Sequence, residues 1–254
     1  MDRETPKRID VLGVPVDCVD MDMAMEHIAR ILKGDRAHAV IAVNPEKVIA
    51  AQSSARLLQA LHGAGLLIPD GIGIVLAARV LHGARLRRVP GSELMPKICD
   101  YAARTGYAVF LFGASAEVNE LASRELQRRY PGIEISGAEH GYLPAEDMPK
   151  LVGRINASGA KILFVALGSP RQEDWMLEYL PALNVRVCQG VGGTFDVLAG
   201  KVSRAPPPFL KLNLEWLYRL LANPGRLTRQ TALPRFFFQT IKKRLTTPAR
   251  DRAI

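Results

Sequence analysis

Apolar and polar positions repeat one pattern over most of the chain: a short apolar run, a turn, and a longer segment with apolar residues at helical spacing. Short apolar runs that end at Gly, Pro, Asn or Asp are typical of buried strands, and the longer segments of amphipathic helices. Ahead of these units, residues 9–16 alternate as a short strand or hairpin does, and residues 23–32 favour a helix. The predicted strands of the repeating units are residues 39–43, 66–68, 108–112, 161–167 and 185–189.

Repeated strand, turn and helix units indicate an α/β fold, in which a mainly parallel, Rossmann-like sheet is flanked by helices. Parallel strands deliver the residues that follow them to one edge of the sheet, and ligands of such sheets bind at that edge. Functional side chains and glycine-rich turns are therefore expected directly after the predicted strands.

Asp70 follows the apolar run at 66–69 and precedes a turn that contains Gly71 and Gly73. A carboxylate at the end of a buried run is partly desolvated, which can raise its pKa toward that of a general base. The alternative is that Asp70 caps the helix predicted at residues 74–79 by accepting hydrogen bonds from backbone N–H groups. On the local pattern alone, the cap is the commoner arrangement.

Asn44 and Gln172 also follow predicted strands. Asn44 precedes Pro45, and the two form an N-cap and N1 pair that starts a helix. Gln172 has the N3 spacing of a capping box in which Ser169 is the N-cap and Pro170 is N1. Capping alone is therefore an alternative to substrate binding for both polar side chains.

Three further turns suit an anionic ligand. The basic loop at 85–88 lies shortly after Asp70, and Arg88 can bind an anionic group through two parallel hydrogen bonds. Gly113 stands between a strand and a helix, the general geometry for binding phosphate at a helix N-terminus. In the turn at residues 190–196, glycines allow a ligand to approach the backbone closely. Its candidate substrate-binding residues are Gly192, Gly193 and Asp196.

Composition narrows the class of protein. Of the 254 residues, 48% are hydrophobic and 23% are charged, which are values of a globular protein. Cys18, Cys99 and Cys188 are scattered without CxxC spacing, which argues for a reducing compartment and against a disulfide framework or a zinc site. The sequence has no apolar leader and no run of about 18 apolar residues, so we expect neither secretion nor a membrane span.

The net charge of +9 is unevenly distributed along the chain. Residues 200–254 contain 12 basic and 2 acidic side chains, a net charge of +10, so the preceding residues are close to neutral. A neutral body with a basic, partly apolar tail suggests an anionic partner, either a lipid surface or a nucleic acid.

Beyond a proline run, the character of the chain changes. Residues 209–221 have the spacing of an amphipathic helix, and residues 226–244 mix basic side chains with three consecutive phenylalanines. Basic and aromatic residues on terminal helices suit a membrane interface. The alternative is that these helices dock on the body and that their apolar faces are ordinary core. We predict an α/β domain and a basic helical appendage, at residues 1–203 and 204–254.

Seven motifs, in order and at family-like spacing, resemble the WecG/TagA/CpsF glycosyltransferases over residues 9–245. They are NPEK at 44–47, IPDG at 68–71, RVPG at 88–91, GSPRQE at 168–173, GVGGTFD at 190–196, RAP at 204–206 and LEWLYRL at 214–220.

The resemblance implies a metal-independent, inverting enzyme without a cofactor, bound peripherally at the cytoplasmic face of the membrane. Such enzymes transfer a sugar from UDP to a polyprenyl-diphosphate-linked sugar in cell-surface polysaccharide synthesis. The resemblance makes Asp70 the general base, with Asn44, Arg88 and Gln172 in the pocket. It also implies that the appendage completes the active site, binds the anionic membrane and supplies arginines near the UDP diphosphate. The matching arginines are Arg219, Arg226 and Arg229.

Two residues depart from the family pattern, of which the first bears on the donor and the second fits a solvent-facing loop. Ala42 stands where many members have threonine, and His140 replaces the aspartate of a usual Asp-Gly-Tyr. The donor stays open among UDP-linked N-acetylmannosamine, its uronic acid and glucose, and a homo-oligomer is compatible with the sequence. The D-x-D spacing of Asp20 and Asp22 is that of a metal-dependent glycosyltransferase, but acids at the start of a helix suit its dipole.

Two other functions compete with this interpretation. A nucleotide-sugar or NAD-dependent Rossmann enzyme would need G-x-G-x-x-G in the first strand and helix unit, which has only Gly13, and the pair Gly71 and Gly73 lacks the third glycine. A nucleic-acid-binding protein could use the basic tail. The phenylalanine run at 236–238 favours a membrane, so we expect no nucleic-acid partner.

Overall fold

The computed structural model of the protein describes residues 6–203, 206, 209 and 231–246. The predicted helix at 209–221 and the candidate residues Arg219, Arg226 and Arg229 lie outside this described part, Phe209 excepted.

The described residues form eight strands and ten α-helices. The strands are β1 (Arg8–Val11), β2 (Val14–Asp17), β3 (His38–Val43), β4 (Leu66–Pro69), β5 (Val109–Gly113), β6 (Ile135–Glu139), β7 (Ile162–Ala166) and β8 (Val187–Gly190). The helices are α1 (Met21–Leu32), α2 (Pro45–Ala51), α3 (Ala55–His62), α4 (Ile72–His82), α5 (Gly91–Thr105), α6 (Ala116–Arg129), α7 (Met148–Ala157), α8 (Arg171–Tyr179), α9 (Thr194–Leu198) and α10 (Ala232–Thr246).

Six strands form one parallel sheet in the order β4-β3-β8-β7-β5-β6, and β1 and β2 form a separate antiparallel hairpin. The predicted α/β class, parallel sheet and N-terminal hairpin are therefore confirmed. Strand β6 was not predicted, because this edge strand is only partly buried and its sequence, ISGAE, has no apolar run.

Helices cover both faces of the sheet, and each face has its own apolar core. Val40 belongs to one core and its neighbour Ile41 to the other, because successive side chains of a strand point to opposite faces. A strand that is buried on both faces needs apolar residues at every position. This is why the strands are visible in the sequence as continuous apolar runs.

The hairpin holds the strand that leads to Asp70. Asp17 at the end of β2 is fully buried, and its carboxylate accepts hydrogen bonds from Arg8 Nε at 2.6 Å and from the backbone N–H of Leu67 at 2.7 Å. The second guanidinium nitrogen of Arg8 donates to the carbonyl of Ala64 at 2.7 Å. The hairpin thus fixes the start of β4 and the loop before it.

Helix α10 packs against α2 and α4, which belong to the predicted α/β domain. Phe236 is buried in the core on that side of the sheet, and Gln239 exchanges hydrogen bonds with Gln52 at 2.6 and 3.0 Å. Lys243 pairs with Asp10. For this helix, the alternative that its apolar face is ordinary core is confirmed for Phe236, whereas Phe237 and Phe238 are exposed.

No helix within the described residues is both long enough and apolar enough to cross a membrane. The division into parts at residues 1–203 and 204–254 stays a prediction.

Candidate active site

The carboxyl ends of β4 and β3 bring Asp70 and Asn44 together. Val43 lies opposite Pro69 in the parallel ladder, and the backbone N–H of Asp70 donates to the carbonyl of Val43 at 2.8 Å. The residues that follow these two strands are therefore neighbours, as the sequence predicted for the edge of a parallel sheet.

Asp70 is half-buried and does not occupy the N-cap of α4. That position belongs to Gly71, whose φ of +90° is one that residues with a side chain rarely adopt. A Cβ on Gly73 would lie 2.6 Å from Cγ of Pro45, so the first turns of α4 and α2 pack in direct contact. The glycines of this turn hold Asp70 beside the start of α2.

Asn44 caps α2, as the capping interpretation predicted. Its Oδ1 accepts a hydrogen bond from the backbone N–H of Lys47 at 2.8 Å, and Pro45 occupies the first helical position. The cap engages the side-chain oxygen, so the amide nitrogen is the donor that Asn44 can offer to a ligand.

Arg88 lies beside the same strand end. The backbone N–H of Val89 donates to the carbonyl of Pro69 at 2.8 Å, which places Arg88 next to the Asp70 turn. The Arg88 side chain is 19% exposed, and its Nη2 lies 3.6 Å from a carboxylate oxygen of Glu93 in the first turn of α5. A partly buried guanidinium at this edge is suited to binding an anion.

The capping-box prediction for Gln172 is wrong. The N-cap of α8 is Pro170, so the helix begins one residue later than the box requires and Gln172 is not at N3. Gln172 is buried, and its Oε1 accepts a hydrogen bond from the backbone N–H of Gly192 at 3.0 Å. Its Nε2 donates to Glu173 Oε1 at 2.9 Å. The side chain therefore joins the start of α8 to the turn after β8.

An ion pair that the sequence analysis missed lies behind these residues. Lys47 Nζ is 2.6 Å from Glu173 Oε1, and the two side chains are 5% and 0% exposed. Both residues are within motifs noted above, but no local pattern indicates that residues so far apart in the chain would meet. The pair connects the segment after β3 with the segment after β7.

The glycine-rich turn after β8 is open at the same edge. Gly192 has a φ of +52° and empty space where a Cβ would be, Gly193 is exposed, and Asp196 lies half-buried in the first turn of α9. An unobstructed turn of this kind lets a ligand approach the backbone closely, and the N–H of Gly192 itself is donated to Gln172.

Gly113 lies away from Asp70. Strands β3, β8 and β7 separate β5 from β4, a span on the order of 19 Å at the usual strand spacing. A Cβ on Gly113 would come within 2.5 Å of the Ala166 carbonyl, so a close approach of β5 and β7 already accounts for glycine here. His140, which departs from the family pattern, is also distant from Asp70. It lies beside Glu139 at the end of the edge strand β6.

The sequence matches a known family over almost its whole length. The family model described as glycosyl transferase WecG/TagA/CpsF family matches residues 9–250. The chain belongs to this family. Relatives from Staphylococcus aureus strains MRSA252 and COL are each 35% identical over 243 residues, which is 95% of this chain and 95% of each relative. Both are named N-acetylglucosaminyldiphosphoundecaprenol N-acetyl-beta-D-mannosaminyltransferase.

The predicted resemblance is confirmed, and the protein is a glycosyltransferase. An NAD-dependent oxidoreductase is therefore wrong as the class of enzyme. In this glycosyltransferase, the ends of β4, β3 and β8 carry an acid, an amide and a glycine-rich turn, and the loop before α5 adds an arginine. The arrangement offers one carboxylate for proton transfer and several donors for an anionic group.

The three cysteine thiols of this glycosyltransferase have raised pKa values. Burial raises the pKa of the Cys99 thiol to about 12 and also raises the pKa values of Cys188 and Cys18. The thiolate, which is the nucleophilic form, is therefore scarce at neutral pH. Within the described ranges, no three His, Cys, Asp or Glu side chains gather as they would around a metal ion.

Proposed function

We propose that this glycosyltransferase moves N-acetylmannosamine from UDP to N-acetylglucosamine carried on a polyprenyl diphosphate, in the synthesis of a cell-surface polysaccharide. The observation that carries the proposal is the match to two N-acetylmannosaminyltransferases over 95% of each chain. Of the three donors left open by the sequence, N-acetylmannosamine is the one that the names of these relatives favour.

In this proposal, Asp70 is the general base. Its carboxylate accepts the proton of the acceptor hydroxyl while that oxygen attacks the anomeric carbon and the bond from this carbon to UDP breaks. A single displacement of this kind inverts the configuration and needs no second carboxylate as nucleophile. The position of Asp70 beside Asn44 and the Arg88 loop supports this role.

The leaving diphosphate needs positive charge or backbone N–H groups around it. We assign this role to Arg88 and the turn at Gly192 and Gly193, with Asp196 as a further substrate-binding residue at that turn. Three arginines from outside the described residues complete the proposed set, Arg219, Arg226 and Arg229. The mechanism requires neither a metal ion nor an organic cofactor.

The polyprenyl chain would keep the acceptor in a membrane. We therefore propose that the enzyme associates peripherally with the cytoplasmic face of that membrane. The net charge of +10 in residues 200–254 and the exposed rings of Phe237 and Phe238 support this location. A homo-oligomer stays a prediction.

A transfer assay in detergent tests the reaction. Polyprenyl-diphosphate-linked N-acetylglucosamine is offered with UDP-linked N-acetylmannosamine, its uronic acid or glucose, each with and without EDTA. We expect product from UDP-N-acetylmannosamine at the same rate in both conditions. Product from another donor only would contradict the proposed sugar, and loss of product in EDTA would contradict the metal-independent mechanism.

The Asp70→Asn variant tests the base. Because asparagine cannot accept the proton, we expect kcat to fall by roughly 10²-fold to 10⁴-fold, the usual contribution of a general base. UDP affinity, measured by calorimetry, should stay within about twofold, since UDP is not the group that Asp70 deprotonates. Asp22→Asn on the exposed start of α1 is the matched control. An unchanged kcat in Asp70→Asn would remove Asp70 from this role.

A further inference from the structure

The buried Lys47–Glu173 pair is joined to the edge of the candidate site by a continuous series of hydrogen bonds. Glu173 Oε1 accepts from Lys47 Nζ at 2.6 Å and from Gln172 Nε2 at 2.9 Å. Gln172 Oε1 in turn accepts from the backbone N–H of Gly192 at 3.0 Å. At the other end, the backbone N–H of Lys47 donates to Asn44 Oδ1 at 2.8 Å. One carboxylate thus connects the turns after β3, β7 and β8.

Stability alone is a weak explanation for this pair. Glu173 is fully buried, and its second oxygen, Oε2, has no hydrogen-bond partner among the described residues. The free energy of removing two charges from water is about as large as the attraction between them. A protein with an apolar pair of the same volume is therefore often equally stable. A half-satisfied buried carboxylate is less favourable still.

Gln172 is positioned by the pair and offers little to a ligand directly. One of its polar atoms is bonded to Gly192 and the other to Glu173. A Cβ on Gly190 would lie 2.6 Å from Gln172 Nε2, so the amide packs closely against the end of β8. The direction of the Gln172 oxygen is therefore set by the acceptor on its other side, which is Glu173.

We propose that Lys47 and Glu173 are positioning residues, which orient Gln172 and through it hold the Gly192 turn in the form that receives the donor diphosphate. The inference rests on the proposed transferase function for its consequence in catalysis. Its geometric part, the control of Gly192 by the pair, stands on the hydrogen bonds alone.

The test compares two double variants with the wild type. Lys47→Met/Glu173→Met removes both charges at similar volume and leaves Gln172 Nε2 without an acceptor. Lys47→Met/Glu173→Gln removes the charges but keeps a side-chain oxygen for Gln172. Double changes are used because either single change to Met would leave a buried charge unpaired and threaten folding.

Hydrogen exchange of backbone amides reports on the geometry. In Lys47→Met/Glu173→Met we expect the Gly192 amide to exchange at least about tenfold faster, since its partner is no longer held. The amide of Val191, bonded to the Val165 carbonyl at 2.9 Å within the sheet, should exchange as in the wild type and is the internal control. Unchanged exchange at Gly192 would overturn the positioning role.

The transfer assay reports on the consequence. We expect Lys47→Met/Glu173→Met to have a Tm near that of the wild type but a kcat at least about tenfold lower, because small displacements at a site are costly. Lys47→Met/Glu173→Gln should recover most of both the Gly192 protection and kcat. Lys150→Met, which breaks the exposed Lys150–Asp147 pair on α7, should change neither.

The outcomes separate the two proposals. Faster exchange at Gly192 with an unchanged kcat in Lys47→Met/Glu173→Met overturns the role of the pair in transfer. Failure of Lys47→Met/Glu173→Gln to restore kcat overturns it as well. If the wild type transfers no sugar from any donor, the proposed function fails. The exchange rate of Gly192 decides the positioning role in that case as well.

Discussion

His27 is a buried base in an environment that disfavours its proton. It is 8% exposed on α1, and its Nδ1 has no hydrogen-bond partner among the described residues. Burial, followed by the positive charge of Arg30, lowers the pKa of His27 below 6.5, and His38 adds to this effect. A backbone hydrogen bond with Gly65 and the negative charge of Asp17 act in the opposite direction without reversing it.

The lowered pKa of His27 predicts a loss of stability in mild acid. The unfolded chain takes up a proton at this residue near pH 6.5, whereas the folded chain does so only at lower pH. The contribution to the unfolding free energy is therefore complete above pH 6.5 and falls as the pH drops toward the folded pKa. We therefore expect the Tm of His27→Gln to fall less between pH 7 and pH 5 than the Tm of the wild type.

Thermal unfolding across that pH range, followed by circular dichroism, measures the effect. His62→Gln on the exposed side of α3 is the control and should follow the wild type. Identical pH profiles for His27→Gln and the wild type would contradict the lowered pKa.

At the scale of elements, α10 has one docked face and one exposed face. Ala232, Phe236 and Thr240 recur every four residues and are buried against the body. Phe237 and Phe238, each 68% exposed, point away from it. Three consecutive phenylalanines therefore have two different environments, which their composition alone does not reveal.

This division predicts different costs for neighbouring substitutions. Phe236→Ala should lower the unfolding free energy by about 3 to 5 kcal/mol, because it leaves a cavity in a packed core. Phe237→Ala is the matched control and should change the unfolding free energy by no more than about 0.5 kcal/mol. Urea titrations measure both. Equal effects of the two substitutions would contradict the docking of α10.

At the scale of the whole molecule, charge and exposed apolar area coincide at the C-terminal end of the sequence. The exposed large apolar residues of α10 are Phe237, Phe238, Ile241 and Leu245. Lys242 is exposed among them, and the sequence from residue 200 onward is strongly basic. Apolar rings combined with basic side chains are typical of a surface that binds anionic lipid.

We predict that the protein floats with vesicles that contain anionic lipid and does so less at high salt. Phe237→Ser/Phe238→Ser should weaken vesicle binding at least about tenfold, because each ring contributes apolar area to insertion. Tyr142→Ser, which changes an equally exposed ring elsewhere, should not. Duplex DNA serves as competitor. Displacement of the protein from vesicles by DNA, or equal binding of the Phe variant, would contradict a lipid partner.

Local patterns determined the strands, the parallel α/β class, the Asn44 cap and the turn at Asp70. They could do so because hydrophobic periodicity, capping and positive-φ glycines act between residues a few positions apart. The resemblance in the motifs extended this knowledge to the family, which the comparison of whole chains confirmed. The partly exposed strand β6 was missed, since its local pattern is weak.

Only the tertiary structure decided which side chains meet. Lys47 and Glu173 are 126 positions apart, and their ion pair follows from the adjacency of β3, β8 and β7 in the sheet. Because of the same strand order, Gln172 contacts Gly192 instead of forming the predicted capping box, and Gly113 lies far from Asp70. Sequence spacing carries no information on such contacts, because strand order depends on how all the apolar surfaces of the chain are buried together.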